Sequence, residues 1–313
     1  MTVKYQELAK TGDIRPSRFL SSIFVILHFY LFIGGIVGTL PLVYALISNR
    51  EALYDPILQT DVMGFLNKYT GPVSNYIFTN LSIYCMLLGV FIAVKFIHNR
   101  PFGTLINPGK KFKWSRFFVG FLVFGTLIAL GTLADYVLNP GSYTFSFEGS
   151  KFWVTLPLIL IMTPLQSATE EFVFRGYVIQ SFGVKIKNGV ILSVISGILF
   201  TLPHLANPEV FASAEQGFIS TLCMVLNYFV IGMAFALVTV RTNSLEAAIG
   251  AHTVNNLICF VLVGYPDNVL PTNTVFYTSN FDSEGGLISA IVTAALFYLI
   301  TAALIRNRGI QQA

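Results

Sequence analysis

The chain has 313 residues, of which 54% are hydrophobic and only 11% are charged, and its mean hydropathy is +0.70. Soluble globular domains are about one-quarter charged residues, so this composition excludes a soluble protein and predicts an all-α polytopic membrane protein in a lipid bilayer. The net charge is +4, and no basic stripe is interleaved with aromatic residues, which argues against a nucleic-acid partner.

Eight apolar runs follow one another along the chain, separated by polar or basic stretches. Such runs are typical of helices that cross a bilayer, and the first lacks the small-residue cleavage site of a signal peptide. The sequence therefore predicts about eight transmembrane helices. They cover residues 19–47, 75–97, 117–138, 152–182, 189–205, 217–240, 244–264 and 286–305.

The distribution of basic residues orients these helices. With a cytoplasmic amino terminus, only Arg50, Lys68 and Lys151 among the 19 Lys and Arg residues fall in external loops. Cytoplasmic loops of membrane proteins carry an excess of Lys and Arg. Both termini are therefore predicted to be cytoplasmic.

Two acids and one base lie together in the fourth apolar run. Glu171 and Arg175 are four residues apart, so they share one helix face and can pair. Glu170 lies about 100° away from Glu171 around the helix axis, so it faces a different direction and has no partner in its own helix. A carboxylate without a cationic partner in a low-dielectric site is suited to proton transfer. The alternative is an intramembrane salt bridge that only locks helices together.

The fifth and seventh runs carry further polar groups. His204 lies near the end of the fifth run, after Pro203, which can bend that helix. His252 and Asn256 are four residues apart on one face of the seventh. Together with Glu170, such groups can activate a water and donate hydrogen bonds to an oxyanion, which is the chemistry of peptide hydrolysis. Alternatively Glu170, His204 and His252 would bind zinc.

Other protease chemistries lack their motifs. The sequence contains no HExxH zinc motif and no GxSxG serine motif. Asp135 is the only aspartate within a predicted span, so an aspartate pair is missing.

Asn243 and Glu246 have the spacing of a capping box, which predicts a helix-capping role for Glu246.

Three short motifs lie on the fourth, fifth and seventh apolar runs: Glu170-Glu171 with Arg175, Phe200 with His204, and His252 with Asn256. Together they resemble the CPBP family, the CAAX proteases and bacteriocin-processing enzymes also called the Abi family, which includes the Ras-converting CAAX endopeptidase. We therefore divide the chain into residues 1–150, which contain three helices and no recognised motif, and residues 151–313, which contain the catalytic core at about 150–265. The resemblance rests on Glu170, Glu171, Arg175, Phe200, His204, His252 and Asn256.

The resemblance implies an intramembrane glutamate protease that needs no bound metal or other cofactor. Glu170 and His204 would activate the water, while His252 and Asn256 would stabilise the oxyanion. Three other motif residues would support the site, namely Glu171, Arg175 and Phe200.

The expected substrate is a peptide or a membrane protein, with prenylated proteins among the candidates. The expected location is a bacterial cytoplasmic membrane, with the endoplasmic reticulum membrane as the alternative. Non-enzymatic roles also fit this composition: a bacteriocin-immunity or scaffold factor, or a transporter that uses the same Glu and His residues as a relay.

Overall fold

The computed structural model describes residues 4–265, 270, 272–278 and 282–305. These residues are almost entirely helical, which confirms the predicted all-α polytopic fold. Short 3-10 turns occur at Tyr5–Thr11, Arg50–Tyr54, Phe102–Leu105 and Pro140–Ser142. The helices are α1 (Pro16–Ser48), α2 (Ile57–Thr60), α3 (Val62–Tyr69), α4 (Pro72–Ile97), α5 (Trp114–Leu138), α6 (Gly149–Gly183), α7 (Gly189–His204), α8 (Pro208–Gln216), α9 (Phe218–Thr242), α10 (Glu246–Leu262) and α11 (Ser283–Leu304).

All eight predicted runs form helices. Among the described residues, α1, α4, α5, α6, α9 and α11 are long and apolar enough to cross a bilayer. A bend of 86° separates α7 from α8 just after Pro203, and the pair makes a seventh crossing if it is one span. Helix α10 is apolar but shorter. The count of eight crossings and the cytoplasmic side of the termini stay predictions.

Two glycines, Gly120 on α5 and Gly250 on α10, allow these two helices to pack closely. A Cβ atom on Gly250 would lie 2.1 Å from the backbone oxygen of Phe117, and one on Gly120 would lie 1.9 Å from that of Ala247. The two helices therefore meet at backbone contact, which only small residues permit in membrane helices. This contact sets the position of α10, and α10 carries His252.

The predicted capping box is wrong because its two residues belong to different helix ends. Asn243 ends α9 in the left-handed conformation, with a φ of 56°, and its side chain accepts from the backbone N–H of Tyr5. Glu246 begins α10, where it is buried and accepts from Nδ2 of Asn107 at 2.5 Å and from the backbone N–H of Lys113 at 3.1 Å. Glu246 therefore ties α10 to the segment before α5.

A small sheet joins the amino-terminal end of α6, which carries Glu170 and Glu171, to the carboxy-terminal end of α10, which carries His252. Strand β1 (Tyr143–Phe145) precedes α6, β2 (Val263–Gly264) follows α10, and β3 (Phe276–Thr278) lies between them in the order β1-β3-β2. The β1–β3 pair is antiparallel and the β2–β3 pair is parallel. The sheet thus links the ends of α6 and α10.

Candidate active site

Helix α6 brings the acid pair and the arginine into the bundle. A π-helical turn at Phe172–Val178 begins directly after Glu171, and such turns are frequent at functional sites. The predicted pair is confirmed: Nη1 of Arg175 lies 2.7 Å from Oε1 of Glu171, and both side chains are completely buried. A buried pair of this kind is costly to break, because either partner alone would be an uncompensated charge.

The Arg175 guanidinium is also held by its surroundings. Its Nη2 donates to the carbonyl oxygen of Gly232 at 3.2 Å, and its Cζ lies 4.1 Å from the ring centroid of Phe200 and 5.5 Å from that of Phe235. Aromatic faces attract a desolvated cation. The structure thus places Phe200 against the guanidinium that neutralises Glu171.

His252 lies between the two carboxylates. Its Nδ1 is 2.8 Å from Oε1 of Glu171, and its Nε2 is 3.8 Å from Oε2 of Glu170. Because an ionised carboxylate only accepts hydrogen bonds, Nδ1 carries the proton. Nε2 is then an acceptor in the neutral ring, and it becomes a donor only when the ring is protonated.

The two adjacent acids have different environments. The Glu171 side chain is completely buried and neutralised, whereas the Glu170 side chain is 12% exposed and faces the outer nitrogen of His252. Neighbouring carboxylates in unlike surroundings are typical of sites that assign them different tasks. Glu170 is therefore the acid that a water or a substrate can reach.

His204 is the last residue of α7. Its Nδ1 is 2.7 Å from the carbonyl oxygen of Phe200, and since a carbonyl only accepts, Nδ1 carries the proton and Nε2 is an acceptor in the neutral ring. The Phe200 ring lies 4.3 Å from this imidazole and 6.0 Å from that of His252, between ring centroids. The structure thus brings both predicted histidines to the same part of the bundle.

Asn256 lies one turn beyond His252 on α10 and is half-buried. Its Oδ1 accepts from Nδ2 of Asn255 at 3.0 Å, while its own Nδ2 makes a hydrogen bond of 3.5 Å with Oγ of Ser167. That bond is at the long limit for hydrogen bonding, so the amide can turn its N–H groups toward a substrate at little cost.

In the alternative zinc site, the ligands would be Glu170, His204 and His252. Across the described part of the chain, no three His, Cys, Asp or Glu side chains converge so as to hold a metal ion. Metal independence stays a prediction.

Sequence reasoning missed a polar cluster next to His204. Tyr228 on α9 packs its ring on the His204 imidazole, with centroids 4.6 Å apart, and its hydroxyl contacts Asn207 and Glu209 at the start of α8. The sequence offered one signal, since Asn207 and Glu209 closely follow His204. Tyr228 carried none, because it lies in the middle of an apolar run.

An apolar cavity of about 590 Å³ adjoins the site. Its wall includes residues directly before His204 and directly after Glu171, and it extends along the first half of α1. Apolar cavities next to polar groups are the usual form of a binding site. Residues from all of these segments line it, among them Phe19, Tyr30, Val173, Phe182, Leu202 and Pro203.

The fold defines an all-α polytopic integral membrane protein whose helices bring Glu, His and Arg side chains together inside the bundle. The sequence profile described as "Type II CAAX prenyl endopeptidase Rce1-like" matches residues 151–258, which include every predicted site residue. The chain is also 30% identical over 253 residues to the uncharacterized protein YyaK of Bacillus subtilis (strain 168), which covers 80% of this chain and 79% of that protein. The chain belongs to the Rce1-like CAAX prenyl endopeptidase (CPBP) family, as its motifs predicted. No solved structure matches it.

Proposed function

We propose that this protein is an intramembrane endopeptidase that cleaves a peptide bond with a water activated by Glu170 and His204. The proposal is carried by the contrast between the two acids: Glu171 is buried against Arg175, while Glu170 is partly exposed beside the His252 imidazole. The alternative of a purely structural salt bridge accounts for Glu171 and Arg175. It gives no reason for an accessible Glu170.

The water would lie between the Glu170 carboxylate and Nε2 of His204. Glu170 takes a proton from the water as its oxygen attacks the scissile carbonyl carbon, and that proton then passes to the leaving amine as the C–N bond breaks. The oxyanion formed in between would accept from Nδ2 of Asn256, and from Nε2 of His252 when that ring is protonated. Donors of this kind stabilise the transition state more than the ground state.

The substrate would be a peptide or membrane protein with an apolar part that enters the 590 Å³ cavity. That cavity is lined by side chains of membrane-spanning helices and reaches the segment around His204, so a membrane-embedded group could enter it beside the cleavage site. A prenyl chain on a CAAX peptide has the required chemistry and is one candidate. The bacterial relative supports a bacterial cytoplasmic membrane as the location.

The test is cleavage of a fluorogenic peptide panel, including a farnesylated CAAX peptide, by purified protein in detergent. Glu170→Gln and His204→Ala should each abolish cleavage, while Glu148→Gln, which changes an exposed glutamate paired with Lys151, should not. Chelator should have no effect. Activity that survives Glu170→Gln would refute the mechanism, and chelator-sensitive cleavage would return zinc to consideration.

The immunity and scaffold alternatives are separated from the protease in cells. A bacteriocin-immunity or scaffold protein should give its cellular phenotype equally well with Glu170→Gln, because partner binding needs no ionised carboxylate in the site. A protease should lose that phenotype. The Glu170→Gln variant therefore separates a protease from an immunity or scaffold protein without knowledge of the natural substrate.

A further inference from the structure

The bend between α7 and α8 creates a small network around Tyr228. The Tyr228 hydroxyl donates to Oε1 of Glu209 and accepts from Nδ2 of Asn207 at 3.0 Å, and the same Nδ2 lies 3.3 Å from Oε1 of Glu209. Glu209 is 3% exposed. Because Glu209 and Asn207 belong to the start of α8 and Tyr228 belongs to α9, this network fixes the bend against α9.

The Tyr228 ring lies on His204. The planes of the two rings are inclined by 38° at a centroid distance of 4.6 Å, and the Phe200 ring lies 4.3 Å from the same imidazole. His204 is the last residue of its helix, where side chains have fewer neighbours than in a helix interior. The two aromatic rings and the Phe200 carbonyl supply the packing and the hydrogen bond that fix its orientation.

We propose that Tyr228 is a positioning residue for His204, and that Glu209 and Asn207 hold its ring in place through the hydroxyl. Without this contact the imidazole is held only by the Phe200 ring and carbonyl, so it rotates over a wider range and Nε2 faces the water beside Glu170 for less of the time. The inference rests on the proposed function, since positioning matters only if His204 acts on the water. None of the three residues belongs to the family motifs that the sequence displayed.

The proposal requires graded effects on turnover. Tyr228→Phe keeps the ring and loses its anchor, so kcat should fall about tenfold with KM unchanged; Tyr228→Leu also removes the ring and should lower kcat about 100-fold, the usual cost of a catalytic group displaced by about 1 Å. Glu209→Gln keeps an oxygen that accepts from the hydroxyl and should lower kcat less than Glu209→Ala, which should match Tyr228→Phe. Tyr44→Leu, which changes a 63% exposed tyrosine on α1, is the matched control.

Histidine-selective NMR provides a readout that needs no substrate. The chain has four histidines, so the His204 signal is assigned from His204→Ala. That signal should shift and broaden in Tyr228→Leu and stay unchanged in Tyr44→Leu. A merely structural staple between α8 and α9 would lower the unfolding temperature in Tyr228→Phe and Glu209→Ala without changing kcat or the His204 signal of folded protein.

The outcomes separate this proposal from the one it rests on. If Glu170→Gln is inactive while folded Tyr228→Phe and Glu209→Ala keep wild-type kcat and an unchanged His204 signal, the positioning role is refuted and the protease stands. If Glu170→Gln is active, the proposed mechanism fails whatever the Tyr228 variants do. A loss of kcat that is larger in Tyr228→Phe and Glu209→Ala than in Glu209→Gln supports the anchored ring.

Discussion

The Oε1 atom of Glu171 accepts from Nδ1 of His252 at 2.8 Å, while Nη1 of Arg175 lies 2.7 Å from the same oxygen. One buried carboxylate oxygen therefore sets both the charge balance of α6 and the tautomer of the imidazole on α10. Orientation of a working histidine by a carboxylate behind it is a common device of active sites. It explains physically why the second acid of the motif follows the first directly.

Removal of the Glu171 charge should destabilise the protein. Glu171→Gln leaves the Arg175 guanidinium buried without a counter-charge, which costs about 3–5 kcal/mol. We expect a clear fall in the unfolding temperature in detergent, measured by intrinsic fluorescence. Glu170→Gln is the control, since Glu170 is partly exposed and its loss should leave the unfolding temperature near that of the wild type. Equal stability of both variants would contradict the assignment.

Asn256 tests the oxyanion site. Asn256→Ala removes the amide donor, and loss of one such donor lowers kcat by about 100- to 1,000-fold. KM should change little, because the bond strengthens only as the oxyanion develops. Asn139→Ala is the control, since that amide is on the surface and bonds to Asp135. A rise in KM with an unchanged kcat would instead assign Asn256 to substrate binding.

Docking of the amino-terminal segment should depend on pH through His98. In the native state His98 is buried, its Nδ1 lies 2.6 Å from the backbone oxygen of Asp13, and its Nε2 lies 3.0 Å from the Tyr177 hydroxyl. Burial lowers the pKa of His98 below its ordinary value of 6.5. The undocked state therefore takes up a proton more readily, and docking is at full strength above pH 6.5 and weakens as the pH falls below it.

Hydrogen exchange of residues 4–13 measures this effect. Protection should be constant above pH 6.5, after correction for the intrinsic exchange rate, and decrease below it. His98→Asn should weaken docking and remove the pH dependence in that window, while His28→Asn, at an exposed position on α1, should keep it. An equal pH dependence in His98→Asn would exclude His98 as the group responsible.

The sequence allowed the fold class, all eight helical segments and the Glu171–Arg175 pair to be predicted, because hydropathy and the i,i+4 rule act locally. It did not allow the role of Glu246 to be predicted. The capping-box spacing of Asn243 and Glu246 is local, and Oε2 of Glu246 does accept from the nearby Ser244 hydroxyl. Its Oε1, however, accepts from Asn107 and Lys113, which are distant in sequence. Tertiary contacts therefore overrode the local signal.

Prediction of the site was limited in the same way, because local spacing was informative and tertiary contacts could not be read from the sequence. The motif spacings predicted which residues gather around Glu170, but they carried no information on which nitrogen of His252 faces which acid. Nor did they indicate Tyr228, whose contact with His204 arises from the packing of α7 against α9. The surroundings of His204 therefore include a side chain from α9 that belongs to no motif.

The final prediction concerns the contact between α10 and α5, because the packing of these helices sets the position of His252. Gly250→Ala would place a Cβ atom 2.1 Å from the backbone oxygen of Phe117, so α10 must shift and carry His252 with it. Overpacking typically costs about 1–3 kcal/mol, and we expect lower thermal stability together with a loss of kcat. Gly35→Ala is the matched control, because nothing lies within 4 Å of its added Cβ atom. Wild-type activity and stability in Gly250→Ala would contradict backbone contact between these helices.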